Sequence, residues 1–311
     1  MKHVFGPVLS RRLGRSLGVD PVPLNTCDFD CIYCQLGQTR HLERKRKAFF
    51  SVSDMVAEIA SKLDHFGPDS IDWITFVGSG ETTLFSRLGT LIRYVKSFTD
   101  VPVAVITNGS LLYLPEVRDE LSVADAVLPS FDAGTETLYR KINRPHRDLS
   151  FDRQVSGLIE FRKTFTGNLW VEVMLLGGVN DSPSDLSDIS AVLDRVEPDE
   201  IHISTPTRPP AEPWVEPPTP GSLERASAIL GSVARVPRLM DLDVESGIDE
   251  GLVHAVLTIV RRHPMQEDEL VRNLARWMPG RVVETLTSLA DGGEIRAVER
   301  HGVRFWCAPG T

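Results

Sequence analysis

Cysteine is scarce in this chain. Four occur in 311 residues, and none precedes residue 27. That is too few for the disulfide frameworks of small secreted domains. Long apolar runs are also missing. No segment approaches the roughly 20 residues needed to cross a bilayer, and the opening MKHVFGPVLSRRLG has no apolar core of signal-peptide type. A cytoplasmic location with no membrane partner is therefore expected. Positive charge is in short supply: 34 Lys and Arg against 43 Asp and Glu leave a formal net charge of −9. This argues against non-specific nucleic-acid binding, which runs on a Lys/Arg excess, and leaves room for a local basic site. What is ample is apolar content. With 41% hydrophobic and 25% charged residues, the chain can bury enough surface to fold, so disorder is excluded. Its length suits one large domain plus a small one.

Short apolar runs alternate with amphipathic ones. Strands are expected near 15–25, where the chain enters a Pro-rich loop, and over 70–77, 101–106, 124–130, 169–176 and 200–204. Helices are expected over 53–63 (capped by Ser51 or Ser53, with Glu58 in reach), 84–97, 114–121, 151–164, 186–195 and 221–233, with a helical turn over 135–139. This alternation predicts an α/β fold, a parallel sheet of about six βα units. Each strand ends in Gly, Ser, Thr or Asn just before its helix, and in a parallel barrel those carboxyl ends form the active-site rim. After about residue 245 the pattern changes. Helices over 252–262, 266–277 and 281–290, then a hairpin over 294–307 around His301-Gly302, outline a winged-helix-like module. The expected division is residues 1–240 and 241–311.

Three of the four cysteines form one cluster, Cys27-x3-Cys31-x2-Cys34. Soft thiolates select zinc, Cu(I) or iron–sulfur centres. A structural zinc wants four ligands; the loop offers three, Asp28, Asp30 and Tyr33 are poor fourth candidates, and only His41 could close a zinc site. Three thiolates on a four-iron cluster would leave one iron open to a chelating ligand.

Cys-x3-Cys-x2-Cys with the aromatic Tyr33 before the last cysteine resembles the signature of radical S-adenosylmethionine (SAM) enzymes. The resemblance implies a partial (β/α)6 barrel and a [4Fe-4S] cluster on Cys27, Cys31 and Cys34. It also implies SAM, whose one-electron cleavage makes a 5′-deoxyadenosyl radical for hydrogen abstraction, and a low-potential flavodoxin or ferredoxin as electron donor. Gly78, Ser79, Gly80 and Glu81 match the family segment that holds the SAM amino group. Glycines there would let the backbone approach the methionyl moiety, and a Glu can accept from an ammonium; an ordinary strand-to-helix turn would look similar. Asn108 and Ser130 match segments near the SAM ribose or the substrate, with Asp132 beside Ser130. Lys141, Asn143 and Arg144 match a segment that pairs with the SAM carboxylate or the substrate. Leu176 and Gly177 lie in a segment resembling the one over the adenine. Glu172 alternates with Val171 and Val173, so it points into the barrel and needs a partner or ligand. Arg208 sits at the mouth, poised for an anionic substrate or for Glu212. Asp132, Glu172 and Arg208 are the candidate catalytic residues.

FGPVLSRRLGRSLGVDPVP, YCQLGQT and GSGETTL resemble one branch of the superfamily, the wyosine-base synthases of tRNA. Those enzymes carry further cysteines for a second cluster ahead of the signature, which this chain lacks. The resemblance implies a tRNA base as substrate. Residues 251–311 hold eight Arg, no Lys and seven acids, weak for a nucleic-acid reader. A peptide or protein docked there, or a cluster-based DNA-binding sensor, are the alternatives. Trp277, Phe305 and Trp306 are expected in the module's core, Cys307 as a buried thiol in its last strand, and the basic run 44–47 as an exposed face or a phosphate contact.

Overall fold

The computed structural model describes residues 3–237, 253, 256–257, 260, 264–274 and 280–309. Eight strands form one sheet in sequential order: β1 (Val4–Ser10), β2 (Gly14–Val19), β3 (Trp73–Phe76), β4 (Val103–Thr107), β5 (Ala126–Pro129), β6 (Asn168–Met174), β7 (Glu200–Ser204) and β8 (Ala234–Arg235). Every neighbouring pair from β2 to β8 is parallel, and only β1, folded back on β2, is antiparallel. Strands β2–β7 are the six expected. The edge strands β1 and β8 were not expected, because one starts in a Gly-Pro-interrupted run and the other is two residues long.

The crossovers are α1 (Val52–Phe66), α2 (Leu88–Lys96), α3 (Pro115–Leu121), α4 (Glu136–Ile142), α5 (Phe151–Thr164), α6 (Pro183–Val196) and α7 (Pro220–Leu230). Helices α1, α4, α5, α6 and α7 start at a Ser or Thr whose hydroxyl accepts a first-turn backbone N–H: Ser51, Thr135, Ser150, Ser182 and Thr219. The helix expected over 84–97 is shorter than its pattern. Residues Thr82–Leu84 make a tight 3-10 turn instead, because Lys47 pairs with the backbone of Leu84 and Ser86 and holds that stretch open.

Alternation along the strands sorts their side chains between two environments. Ile74, Phe76, Val103, Val105, Val127, Val171, Val173, Ile201 and Ile203 pack outward into the main core with the helices. Trp73, Ala104, Ile106, Ala126, Leu128 and Trp170 face the other way and meet around Leu13. Leu13 lies in the turn between β1 and β2, so the N-terminal hairpin plugs the bottom of the barrel. Trp73 and Trp170 meet edge to face at 5.6 Å within this plug.

A second hydrophobic cluster lies in the C-terminal part, where α8 (Glu267–Leu274) and α9 (Val282–Asp291) accompany a three-stranded sheet. That sheet has the order β10 (Arg296–Arg300), β11 (Val303–Cys307), β9 (Met265–Gln266). Phe305, Trp306 and Cys307 are buried as expected, and Trp306 Nε1 donates to Glu267 at 3.1 Å. Most of the expected helix over 252–262, the side chain of Trp277 and the proposed boundary at 240 lie outside the described residues. Among the described residues no helix is long and apolar enough to cross a membrane.

Candidate active site

The cysteine loop hangs between β2 and α1 and is strapped to the residues that end α4. Ile32 N donates to Ile142 O (2.9 Å), Asp30 N to Asn143 O (3.1 Å) and His146 N to Asp28 O (2.8 Å). Phe29 and Ile32 anchor it in the main core, and Cys34 N closes a turn on Cys31 O at 3.0 Å. All four cysteines are free, and Cys31 lies within electrostatic reach of both Cys27 and Cys34. Amides donate toward the sulfurs: Asn143 Nδ2 to Cys31 (3.6 Å), Asn108 Nδ2 to Cys27 (3.8 Å) and Phe29 N to Cys27 (3.4 Å). Burial pushes all three thiols up, with Asp28 adding to the shift of Cys27 and Asp132 to that of Cys31. Such thiols become thiolates against a positive centre, which an iron cluster supplies. His41, which could have completed a zinc site, is exposed. Among the described residues no three His, Cys, Asp or Glu side chains gather to hold a metal ion. The three thiols share one loop with no fourth ligand beside them among the described residues, a donor chemistry that suits a multi-iron cluster with one open iron rather than a single ion.

Glu81 sits behind this loop, 2% exposed. Its Oε1 accepts from Thr83 N (2.8 Å), Thr83 Oγ1 (2.5 Å) and Thr107 Oγ1 (2.6 Å), and its Oε2 from Asn108 N at 2.7 Å. Oε2 thus keeps a lone pair for one more donor. Asn108 also donates through Nδ2 to Asp28 Oδ1 at 2.7 Å, and Ser110 Oγ to Asp28 Oδ2 at 2.6 Å. Burial, with the charge of Glu81 beside it, raises Asp28 to about 7; burial raises Glu81 as well. Among the described residues neither carboxyl is hydrogen-bonded to a Lys or Arg. Two close carboxyls with no basic partner make a site that fits a cationic guest.

The glycines before Glu81 also allow a close approach within the chain. A Cβ on Gly80 would lie 1.9 Å from Thr26 O, and one on Gly78 2.7 Å from Val22 Cγ2. Their bareness lets the strand end approach the base of the cysteine loop, where Glu81 N donates to Thr26 O at 2.8 Å. Ser79 is turned onto Asp20, through Oγ at 2.6 Å and N at 3.0 Å. Gly177 likewise accommodates Pro217, whose carbonyl oxygen would stand 2.6 Å from an added Cβ, and Leu176 beside it is fully buried.

Asp132 is buried and its oxygens are engaged. Tyr33 Oη (2.6 Å) and Asn143 Nδ2 (2.7 Å) donate to Oδ2, and Met174 N (2.9 Å) to Oδ1. Burial nonetheless raises its carboxyl to about 6. It buckles the cysteine loop to β5, β6 and α4, so the expected substrate-facing Asp is turned onto the protein. Ser130 is half-buried and bridges to the backbone of Glu172. Lys141 is exposed on α4 and has no ion-pair partner among the described residues. Arg144 bonds Glu212 at 2.5 Å, so the acid expected for Arg208 belongs to Arg144.

Inside the barrel, Arg12 from the N-terminal turn forms an ion pair with Glu172, and Ser204 Oγ donates to Glu172 at 2.7 Å. Burial raises Glu172, but Arg12 and Ser204 outweigh it and hold the carboxyl below its ordinary range. His202 is paired in register with Glu172; its Nε2 meets Glu200 at 2.9 Å and its buried Nδ1 has no partner. Arg208 extends toward the cysteine loop, donating to Gln35 Oε1 at 3.0 Å. The basic run is mostly neutralised: Arg44 meets Asp148 (2.7 Å), Arg46 meets Glu120 (2.5 Å), and Lys47 pairs with Glu43.

Four residues that position this site escaped notice in the sequence. Gln154 Nε2 reaches the carbonyls of Asn108 (3.1 Å) and Ser130 (3.2 Å) from α5; its one signal is a polar residue on a buried helix face. Asn180 ties Leu176 N to the carbonyls of Asp132 and Met174 at 2.7–2.9 Å. Ser110 follows the Thr-Asn-Gly turn, and Arg12 lies far away in sequence with no local pattern.

A family profile for the radical SAM superfamily matches residues 22–188. The chain is 34% identical over 310 residues to the UPF0026 protein of Methanocaldococcus jannaschii, covering 98% of this chain and 96% of that one. It is 46% identical over 207 residues to a protein named GTPase Obg from Brachyspira hyodysenteriae, covering 67% of this chain and only 30% of the relative. Among solved structures, a radical SAM methyltransferase from Sphaerobacter thermophilus matches with TM-score 0.53 at 17% identity, over 71% of this chain and 66% of that one; this shows a shared fold. The chain belongs to the radical SAM superfamily of enzymes, and within it to the UPF0026 proteins.

Proposed function

We propose that this enzyme reductively cleaves SAM at a [4Fe-4S] cluster and abstracts a hydrogen atom from a substrate in the barrel mouth. The observation that carries this reading is the three-thiol loop backed by Glu81 and Asp28, two buried carboxyls to which no Lys or Arg is hydrogen-bonded among the described residues. Cys27, Cys31 and Cys34 would hold the cluster. Glu81 Oε2, with the backbone of Gly78, Ser79 and Gly80, would receive the SAM amino group. When bound, the two groups supply a 5′-deoxyadenosyl radical.

The chain's own residues do the positioning. Thr83, Thr107 and Asn108 hold Glu81 rigid, so its carboxylate need not reorganise on binding. Asp132, through Tyr33 and Asn143, sets the cysteine loop against β5 and β6. Leu176 and Gly177, covered by Pro217, give a dry wall for the adenosine part, with Asn108 and Ser130 at its edge. Arg144 braces the loop after β7, and the exposed Lys141 is left for the surface. Glu172 is an ionised anchor in the barrel, and Arg208 faces the substrate.

The likeness to the wyosine branch makes a tRNA base the first substrate to test, with flavodoxin or ferredoxin as electron donor. One observation favours a peptide or protein substrate docked by residues 241–311, which we read as a winged-helix-like module. The turn of its β10–β11 hairpin meets the loop after β7, where Arg300 donates to Val215 O and His301 stands 3.1 Å from Glu216.

The test is anaerobic reconstitution with iron and sulfide, then dithionite and SAM, reading 5′-deoxyadenosine. Wild type should form it and Cys31→Ala should form none. Equal production by that variant would refute the assignment. Bulk tRNA and then peptides are added to find the substrate that raises the rate.

A further inference from the structure

We propose that Arg208 is the receptor for an anionic group, a carboxylate or a phosphate, carried by a small-molecule substrate that enters the barrel between the cysteine loop and Glu172. The inference rests on the barrel mouth being the substrate site and names the chemistry that this site selects.

Arg208 is bracketed by two parts of the site. Its Nη1 donates to Gln35, the residue after Cys34, at 3.0 Å. On its other side the guanidinia of Arg11 and Arg12 lie within electrostatic reach, and Arg12 carries the Glu172 ion pair. The guanidinium is thus bonded to the cysteine loop and lies within electrostatic reach of the arginine that pairs with Glu172, and a substrate that meets a radical made at the cluster must pass close to that loop.

Arg208 is half-buried, and a guanidinium partly withdrawn from water is costly to leave without a counter-charge. Three acids on the neighbouring elements are committed elsewhere. Glu172 pairs with Arg12, Glu212 with Arg144 at 2.5 Å, and Glu216 with His301 at 3.1 Å. Glu269 is the acid that acts most strongly on Arg208, ahead of the repulsion from Arg11 and Arg12, but the two form no ion pair among the described residues. Among the described residues Arg208 has no ion-pair partner, and Arg11 and Arg12 add to the positive potential around it. An incoming carboxylate or phosphate would neutralise it, and the planar fork allows two parallel hydrogen bonds to such a group. The backbone behind it is held still, because Gly177 N donates to Glu216 O at 2.9 Å and Glu212 N to Ile32 O at 3.0 Å.

The experiment is calorimetric titration of the anaerobically reconstituted full chain with oxalate and, separately, inorganic phosphate, alongside titration with SAM. One anion should bind at one site per chain, and the tighter of the two assigns the class. Arg208→Gln should weaken it tenfold or more, and Arg208→Lys by less. Arg162→Gln, which breaks an exposed pair with Asp199, should leave anion binding as in wild type. Binding of neither anion, or anion binding indifferent to Arg208→Gln, overturns the proposal. So does a loss of SAM affinity alone, which would give Arg208 to the SAM carboxylate. Should Arg208→Gln not fold, the wild type is treated with phenylglyoxal and its arginines are mapped by mass spectrometry. Oxalate or phosphate should slow modification of Arg208 at least fivefold, and no protection overturns the proposal. The 5′-deoxyadenosine assay reports on the enzymatic reading separately: SAM cleavage without anion binding sinks this inference alone.

Discussion

The cysteine-loop end of the barrel and its interior carry opposite charge. Around the loop, Asp28, Glu81 and Asp132 are buried and held by hydroxyls, amides and backbone N–H groups, with no Lys or Arg hydrogen-bonded to them among the described residues. In the interior Arg12 is paired with Glu172, while Arg208, with Arg11 and Arg12 in reach, has no ion-pair partner among the described residues. Both arrangements leave charge that burial disfavours without a directly bonded complement, the carboxyls around the loop and Arg208 in the interior. The difference is that the first region has a place for positive charge and the second for negative. A cationic cofactor group and an anionic substrate would then lie side by side, each against the half that suits it.

The steepest way to break this contrast is Gly80→Ala. The added methyl would stand 1.9 Å from the carbonyl oxygen of Thr26, a backbone atom that moves only if the cysteine loop moves. Iron retained after reconstitution should fall at least fivefold, read by iron analysis and by the absorbance of the cluster. Next comes Glu81→Gln, which keeps the shape and removes the charge. SAM affinity should fall by about tenfold or more, roughly 1.4 kcal/mol, while the iron content stays near that of wild type; unchanged affinity in a titration would remove Glu81 from the SAM site.

The interior is tested through stability. Arg12→Met strands the mostly buried carboxylate of Glu172 and should cost roughly 3 kcal/mol, measured by urea unfolding, because breaking one side of a buried pair leaves an uncompensated charge. The double variant Arg12→Met/Glu172→Met should recover most of that loss. The pH sense follows from the depressed carboxyl. The stabilisation by Glu172 is present above its unfolded value and is lost as pH falls through its lower folded value. Acid unfolding should therefore begin at higher pH in a chain whose Glu172 has lost Arg12.

The two regions also differ in how far the sequence reveals them. The cysteine motif, the Gly-Ser-Gly-Glu turn and Asn108 are local, and their spacing shows on the page. The partners of Glu81 are local as well, since Thr83 follows it by two residues and Thr107-Asn108 ends the next strand. Not legible was which neighbour a glycine admits. At Gly80 the sequence says that no Cβ fits, but not that Thr26 is the neighbour. The same holds for Asp132: its position at a strand end was legible, its hydrogen bonds from Tyr33 and Asn143 were not. The interior was largely hidden. Glu172 announces a need for a partner, yet Arg12 lies 160 residues away in a turn with no pattern of its own. Nor does anything local give Glu212 to Arg144 and leave Arg208 without it.

What the sequence determined by itself is the part written in periodicity and ligand spacing: alternating strands and helices, three thiols within eight residues, and an acid at the end of the second core strand. These are short-range consequences of chain geometry. Only the tertiary structure decided the pairing of charges, because a buried side chain takes its partner from whichever element the fold packs against it. That choice leaves buried carboxyls around the cysteine loop and sets the Arg208 guanidinium against Gln35 with no ion-pair partner among the described residues.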